Sequence, residues 1–498
     1  MSTEPVGYAR LISRFDLRAL LLGVSAEIDT SVRGRSQTQR GEQRVEKFQT
    51  LYRPENSVAG DLQFALRYEG VNLEVLALLF AHRGAQDVLP WITSQPGSVY
   101  ARRIAFLYEW TTGSELQFHS KSRAAYVPII DTELQFALAG GARNAKFRVL
   151  DNLPGNRDFC PLTRRTDYLR ATLAKDLPKR TEETLAKYDH ELLRRAAAFL
   201  YLKETQSSFE VEREKPSASR AQRFADLLRQ AERNEPLSED RFVGLQNAVV
   251  DDRFREASYR TQQNWVGDDL GYRKRIAFVP PRPDDVRTLM DGLIVLSERL
   301  RKAPEHLDAI IAAAAISFGF VFIHPFMDGN GRLHRYLIHE VLSTAGFTPK
   351  GIVLPISTVI LANLNEYVAA LESFSKPLAA LTTYDPDSKT LPTGNDALYF
   401  RYFDSTPLAE FLCFALERTI EHDLDEEMSF LMGFDKARTA LANEIDWPAH
   451  SLDLFIRVVQ QNGFKLSKSK RDSHFSWMKD EEAERFEKAV EKSFQKTA

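Results

Sequence analysis

Apolar positions recur along most of this chain at three- and four-residue spacing, which predicts a mainly helical protein. VNLEVLALLFAHRGA, Val71 to Ala85, is the clearest early case, with Leu73, Leu76, Leu78 and Leu79 on its stripe. The stretch up to about residue 115 holds several patterns of this kind. Residues 120–170 break the rhythm. RAAYVPII and AKFRVLDNL are short β-rich runs separated by the turn-like AGGARN and followed by the turn LPGN, a small α+β segment. From about Lys179 helical spacing returns. TEETLAKYDHELLRRAAAFLYLKETQSSFEVERE predicts a long helix, broken at most once and ended by Pro216, and SRAQRFADLLRQAERN predicts a second. NWVGDDLGYRKRIAFVPP sets two strand-like pieces around a glycine turn, a β-hairpin from about Val266 to Phe278. PDDVRTLMDGLIVLSERLRK starts acidic and ends basic, as the helix dipole favours. A start at Pro304 opens a wholly apolar helix ending at Ile323, and another helix runs from Arg332 to about Thr344. Residues 405–498 are again helical, interrupted by the basic KLSKSKR, Lys465 to Arg471.

Composition narrows the classes. The 498 residues carry 66 Lys plus Arg against 69 Asp plus Glu, a net charge of −3, which argues against electrostatic capture of nucleic acid by the whole chain. No recognition-helix pattern accompanies Lys465 to Arg471, so no nucleic-acid partner is expected. The two cysteines, Cys160 and Cys413, supply neither a disulfide framework nor a thiolate zinc site, and fit a reducing compartment. No signal peptide is read at the N-terminus, and the longest apolar run, Ala309 to Ile323, falls short of the ~20 residues that span a bilayer. A cytoplasmic protein without membrane contact is expected, its length allowing roughly three domains.

The chemistry concentrates in HPFMDGNGRLHR, His324 to Arg335. Pro325 forces the chain out of helix after His324. Gly329, Asn330 and Gly331 supply a permissive turn with a helix directly behind it, so successive backbone N–H groups and the helix dipole form an anion nest suited to phosphate. Arg332 and Arg335, three apart on the first turn, can both reach that anion. Asp328 can hold a divalent cation bridging phosphates. His324 can serve as a base toward a nucleophile aimed at them. Each feature alone is ordinary turn or helix chemistry, but together they meet the requirements for handling a nucleotide. No GxxxxGK[ST] loop or GxSxG elbow competes, and His334 and His339 are spaced wrongly for a zinc helix.

HPFMDGNGRLHR resembles the Fic signature HPFx[DE]GNGRxxR at every fixed position, and the resemblance extends over roughly residues 180–400. It implies a mainly α, Fic-type helical core with a β-hairpin flap, set at 179–404; the patterns on either side predict an N-terminal α+β region (1–178, helical and then a small α+β segment) and a C-terminal helical region (405–498). It also implies transfer of AMP from ATP to a Tyr, Ser or Thr hydroxyl of a target protein, self-modification included. His324 would be the general base and Asp328 the Mg²⁺ ligand. Gly329, Asn330 and Gly331 would form the phosphate nest, with Arg332 on the outer phosphates and Arg335 on the γ-phosphate. The hairpin 266–278 would register the target segment by strand addition. A related phosphate-transferring branch has Lys where Gly331 stands, so Gly331 favours nucleotidyl transfer.

Some Fic proteins carry an [ST]xxxE[GN] helix whose Glu pairs with the second motif arginine and blocks the γ-phosphate. Ser208 and Glu212 resemble that element, whereas Arg213 departs from its last position. The implied pair is Glu212 with Arg335, sealed from water by the helix. Tyr367 is a candidate for the adenine pocket. Two alternatives stay open: a de-AMPylating phosphodiesterase using the same site, and a nucleotide-binding regulatory module without turnover.

Overall fold

The computed structural model describes residues 3–20, 22–40, 43–118, 123–271, 274–303, 307–388, 390–447 and 449–495. The chain opens with β1 (Thr3–Val6), α1 (Tyr8–Phe15), β2 (Val24–Asp29), β3 (Arg35–Arg40) and β4 (Gln43–Phe48). Four helices follow: α2 (Val58–Tyr68), α3 (Leu73–Arg83), α4 (Val88–Ser94) and α5 (Val99–Thr112). Three short strands are β5 (Val127–Pro128), β6 (Ala142–Asn144) and β7 (Val149–Asp151). Helices then dominate: α6 (Asp167–Leu173), α7 (Leu177–Leu185), α8 (His190–Val211), α9 (Ala218–Gln230) and α10 (Glu239–Val249). The hairpin β8 (Val266–Asp269) and β9 (Lys274–Phe278) interrupts them. After it come α11 (Pro283–Lys302), α12 (Ala309–Ile323), α13 (Asn330–Thr344), α14 (Ile356–Ala362), α15 (Leu364–Leu381), α16 (Ala397–Arg401) and α17 (Thr406–Arg418). The last are α18 (Leu424–Ala442), α19 (Ala449–Gln461), α20 (Lys468–His474) and α21 (Asp480–Phe494).

Several sequence expectations need correction. The first region is not helical throughout: β1–β4 form a sheet of order β1-β2-β4-β3, parallel between β2 and β4 and antiparallel elsewhere. β3 is RSQTQR, exposed along its whole length, so it shows no apolar alternation to read. AGGARN is not merely a turn, because Ala142–Asn144 is the edge strand β6, paired antiparallel with β7. The long helix breaks at Asp189, whose carboxylate caps α8, and it ends at Val211, before Pro216. The apolar helix starts behind Asp308, which accepts from the Ile310 N–H, while Pro304 lies outside the described residues. KLSKSKR is partly helical, because Ser467 caps α20. The hairpin forms as expected, with Tyr272 and Arg273 of its turn outside the described residues.

α12 is the centre of the molecule. All of it except Ala309 and Val321 is buried, which accounts for an apolar sequence all round the helix. It packs against α11, α13 and α17. The main core runs from Phe136 to Leu424 and so crosses both expected boundaries, 178 and 404. Phe159, from the N-terminal region, wedges against α11 and α12 where Gly292 and Gly319 make room: a Cβ at Gly319 would stand 2.3 Å from its ring. Separate apolar clusters fill the N-terminal helices and the α18–α21 bundle. Among the described residues no helix is long and apolar enough to cross a membrane.

Candidate active site

His324 ends α12 in the left-handed conformation, φ 52°, and turns its ring to the end of that helix. Its Nδ1 lies 3.1 Å from the Val321 carbonyl. A carbonyl only accepts, so Nδ1 carries the proton and Nε2 keeps its lone pair. Burial, helped by the charge of Arg260 and opposed by Asp328, pushes the imidazole down to about 4. His324 is therefore neutral at pH 7, as a general base requires.

The turn after it is knitted by Asn330, which accepts from the Phe326 N–H at 3.1 Å and donates to the Phe326 carbonyl at 2.7 Å. Asn330 thus shapes the nest through its side chain. Gly329 takes φ 89°, and a Cβ there would meet Val250 at 2.9 Å. Asp328 accepts from Gly329 N–H at 2.6 Å and from Arg332 at 2.7 Å, both on Oδ1. Its side chain is 38% exposed.

Arg332 and Arg335 are buried and converge on one carboxylate. Arg335 donates to Glu212 Oε1 at 2.7 Å, and Arg332 Nε stands 3.1 Å from Glu212 Oε2. Arg335 also donates to the Ser208 hydroxyl at 2.7 Å and the Ser208 carbonyl at 2.6 Å. Glu212 sits directly over the first turn of α13, because a Cβ on Gly331 would stand 2.3 Å from its Oε1. The expected pair with Arg335 is present, with two corrections. Glu212 bridges both arginines, and its side chain is 27% exposed, so the helix does not seal it from water.

Arg213 explains why Gly or Asn suits its position. It adopts φ 58°, the left-handed step that ends α8. Glu214 N–H then bonds to the Phe209 carbonyl and Arg213 N–H to the Glu210 carbonyl, a Schellman end. The same turn delivers Glu214 to Arg332, 3.2 Å away. The EVERE run held Glu214 in plain view, but nothing in its spacing assigned it a partner.

Tyr367 is a core residue, 6% exposed, packed on Phe318, His334 and Phe411. Its ring is enclosed by these core side chains, while electrostatic interaction ties it to Arg335 and Glu212. The loop from Glu256 to Asn264 was not singled out in the sequence, for want of any pattern, yet it grips the motif. Glu256 accepts from the Met327 N–H at 2.7 Å, Arg260 donates to the His324 carbonyl at 2.8 Å, and Asn264 donates to the Phe326 carbonyl at 3.0 Å.

Residues 236–342 match the family model described as the Fic/DOC family, a span that takes in the hairpin and the whole motif but begins after Glu212. That stretch carries the chain's likeness to the Fic/DOC family. Its curated relatives include the protein adenylyltransferase Fic of Nematostella vectensis, 40% identical over 91 residues, which is 18% of this chain and 19% of that protein. Another is the protein adenylyltransferase fic-1 of Caenorhabditis briggsae, 29% identical over 141 residues, 28% of this chain and 25% of that one. The chain thus spans a quarter or less of the length of these relatives. A solved Fic family protein from Desulfovibrio desulfuricans G20 aligns over 55% of this chain and 80% of its own, at 18% identity and a TM-score of 0.35.

Proposed function

We propose that the protein is an adenylyltransferase that moves AMP from ATP to a Tyr, Ser or Thr hydroxyl of a protein, with Glu212 as its brake. The observation that carries this reading is the seat of Glu212. A carboxylate held by two buried arginines over a helix N-terminus occupies the place suited to the outer phosphates of a nucleotide. On the same motif, at the end of α12, His324 is neutral, with its proton on Nδ1 and the lone pair on Nε2.

On this reading the target hydroxyl oxygen attacks the α-phosphorus and its proton passes to His324 Nε2. The bond from the α-phosphorus to the bridging oxygen breaks, and pyrophosphate leaves with that oxygen. Arg332, Arg335 and the N–H groups of the nest stabilise the charge that collects on the leaving group. Among the described residues no cluster of three or more His, Cys, Asp or Glu stands ready for a metal ion. A lone carboxylate with its bonds on Oδ1 nonetheless suits Mg²⁺, which commonly takes one or two carboxylates and completes its shell with phosphates and water. Asp328 would hold that ion, which supplies charge neutralisation along the triphosphate. The flap, β8 and β9, would pair with the target segment in strand fashion, and its β9 is tied to the loop between α15 and α16 by Lys274 and Asp387. The cytoplasm suits the two buried free thiols.

The test is labelling with ATP carrying the label on its α-phosphate, using the parent, Glu212→Gly and His324→Ala within Glu212→Gly. We expect faint labelling by the parent, strong labelling by Glu212→Gly, and none by the double variant. No labelling of self or lysate proteins by Glu212→Gly would overturn the transfer reading. Release of AMP from pre-labelled Glu212→Gly protein by the added parent would instead support hydrolysis.

A further inference from the structure

Arg260 lies in the loop before the flap, 4% exposed, and among the described residues its hydrogen bonds go to carbonyl oxygens. Its backbone N–H donates to Pro325 at 2.8 Å. Its Nε donates to the His324 carbonyl at 2.8 Å, Nη1 to Gln262 at 3.0 Å and Nη2 to Pro281 at 2.6 Å. These acceptors belong to three places at once. His324 and Pro325 are the base and its turn, Gln262 lies just before β8, and Pro281 just after β9. A planar guanidinium has its donors in a fixed fork, so a single side chain sets the base against both stems of the flap. Neighbouring bonds reinforce the junction: Gln263 and Asn395 both donate to the Pro280 carbonyl.

We propose that Arg260 is a positioning residue for group transfer, fixing the distance and angle between His324 and a hydroxyl presented along the flap. The proposal rests on the transfer reading above. A tie between carbonyls needs no charge, and a buried cation without a bonded carboxylate is costly. Burial accordingly pushes Arg260 down to about 10, with Glu256 and Tyr384 the charged and titratable groups that face it. What the charge contributes is its proximity to His324, whose other facing charge is Asp328. The guanidinium disfavours a protonated base while its fork aims it. A displacement of ~1 Å at such a junction costs on the order of 10²-fold in rate.

The experiment compares Arg260→Gln and Arg260→Lys, each in the Glu212→Gly protein. Four quantities are read: the His324 midpoint by NMR of ¹³C-histidine-labelled protein, assigned with His324→Ala; the pH profile of self-labelling; ATP affinity by calorimetry; and melting temperature. For Arg260→Gln we expect labelling at saturating ATP to fall ~10²-fold and ATP affinity to hold within about twofold of the parent. Its His324 midpoint should rise measurably yet stay below the ordinary ~6.5, because burial is the larger cause of the depression, and the acid limb of the profile should rise with it. Arg260→Lys keeps the charge and loses the fork, so it should keep the low midpoint and still label slowly. If Arg260→Gln fails to fold, the Lys variant carries the rate test. Losses that follow the melting temperature alone, with the midpoint and profile unmoved, would overturn the proposal. If Glu212→Gly itself labels nothing, the transfer reading fails separately, and an unmoved His324 midpoint in Arg260→Gln would still refute the coupling.

Discussion

His324 shows best how one residue's surroundings decide its chemistry. Its protonation midpoint of about 4 means that the base stays available well below neutrality. Self-labelling by Glu212→Gly should therefore stay level from pH 8 to roughly 5.5, where a histidine at the ordinary ~6.5 would already be mostly protonated. A rate halved near pH 6.5 would show that burial does not govern this base. His324→Ala should cost ~10²–10⁴-fold in rate and leave ATP binding nearly intact, since the base acts on the nucleophile. The same depression has a stability consequence. Unfolded His324 and His334 take up protons near 6.5, whereas in the fold they resist down to about 4 and about 3. Their contribution to stability is present above pH ~6.5 and is lost as the pH falls toward those values. Thermal scans from pH 7 to 4 should show a falling melting temperature. At this scale the motif was legible because its chemistry is local: base, turn and nest lie within twelve consecutive residues. Arg260 was not legible, because its partners come from three distant segments and its own neighbours form no pattern. The burial of Tyr367 was not legible either, since helical spacing reads the same for a core ring and a pocket ring.

At the level of elements, α8 is a helix whose end matters more than its middle. Arg213 is exposed and left-handed, which costs an L-residue ~1–2 kcal/mol that glycine avoids. Glycine gives back part of this through its freer unfolded chain. Arg213→Gly should still stabilise the protein by up to about 1 kcal/mol, and it should weaken ATP binding by seating Glu212 more firmly. A rise in melting temperature with unchanged ATP affinity would separate the helix end from the brake. The flap depends on another glycine. Gly267 sits at a register shift with φ 152°, and a Cβ there would stand 2.0 Å from the Arg275 carbonyl. Gly267→Val should unseat the hairpin, so protein labelling falls while calorimetric ATP affinity holds. Equal loss of both would deny the flap a separate role. The hairpin was legible from its charged glycine turn between β-branched and aromatic residues. The sheet β1–β4 was not. Its edge strand is polar throughout, held by backbone pairing to β4 and by ion pairs such as Arg35 with Glu46, rather than by an apolar face.

Across the whole molecule, the expected boundaries at 178 and 404 fall inside one core, because Phe159 and Leu169 enter it from one side and Leu408, Leu412 and Leu416 from the other. No local signal marks where a core is shared. The C-terminal helices also reach the brake. Met428 of α18 packs on Leu192 and Ala196 near the start of α8, and Arg195 pairs with Asp435. Met428→Ala should cost ~2–5 kcal/mol and, by loosening α8, tighten ATP binding to an otherwise unchanged protein. Affinity equal to the parent's would show that the two ends of α8 are independent. Leu192 and Ala196 lie 20 and 16 residues before Glu212 on α8, so the helix places that anchor about 24–30 Å away. On the proposed reading ATP meets a competent site only in the fraction of molecules whose α8 has let go, and the apparent affinity is the intrinsic one multiplied by that fraction. Each 1.4 kcal/mol gained or lost at Met428 or Arg195 that bears on release would then change the apparent ATP affinity about tenfold without touching the nucleotide. The far helices would thus set the ATP concentration at which the protein begins to work.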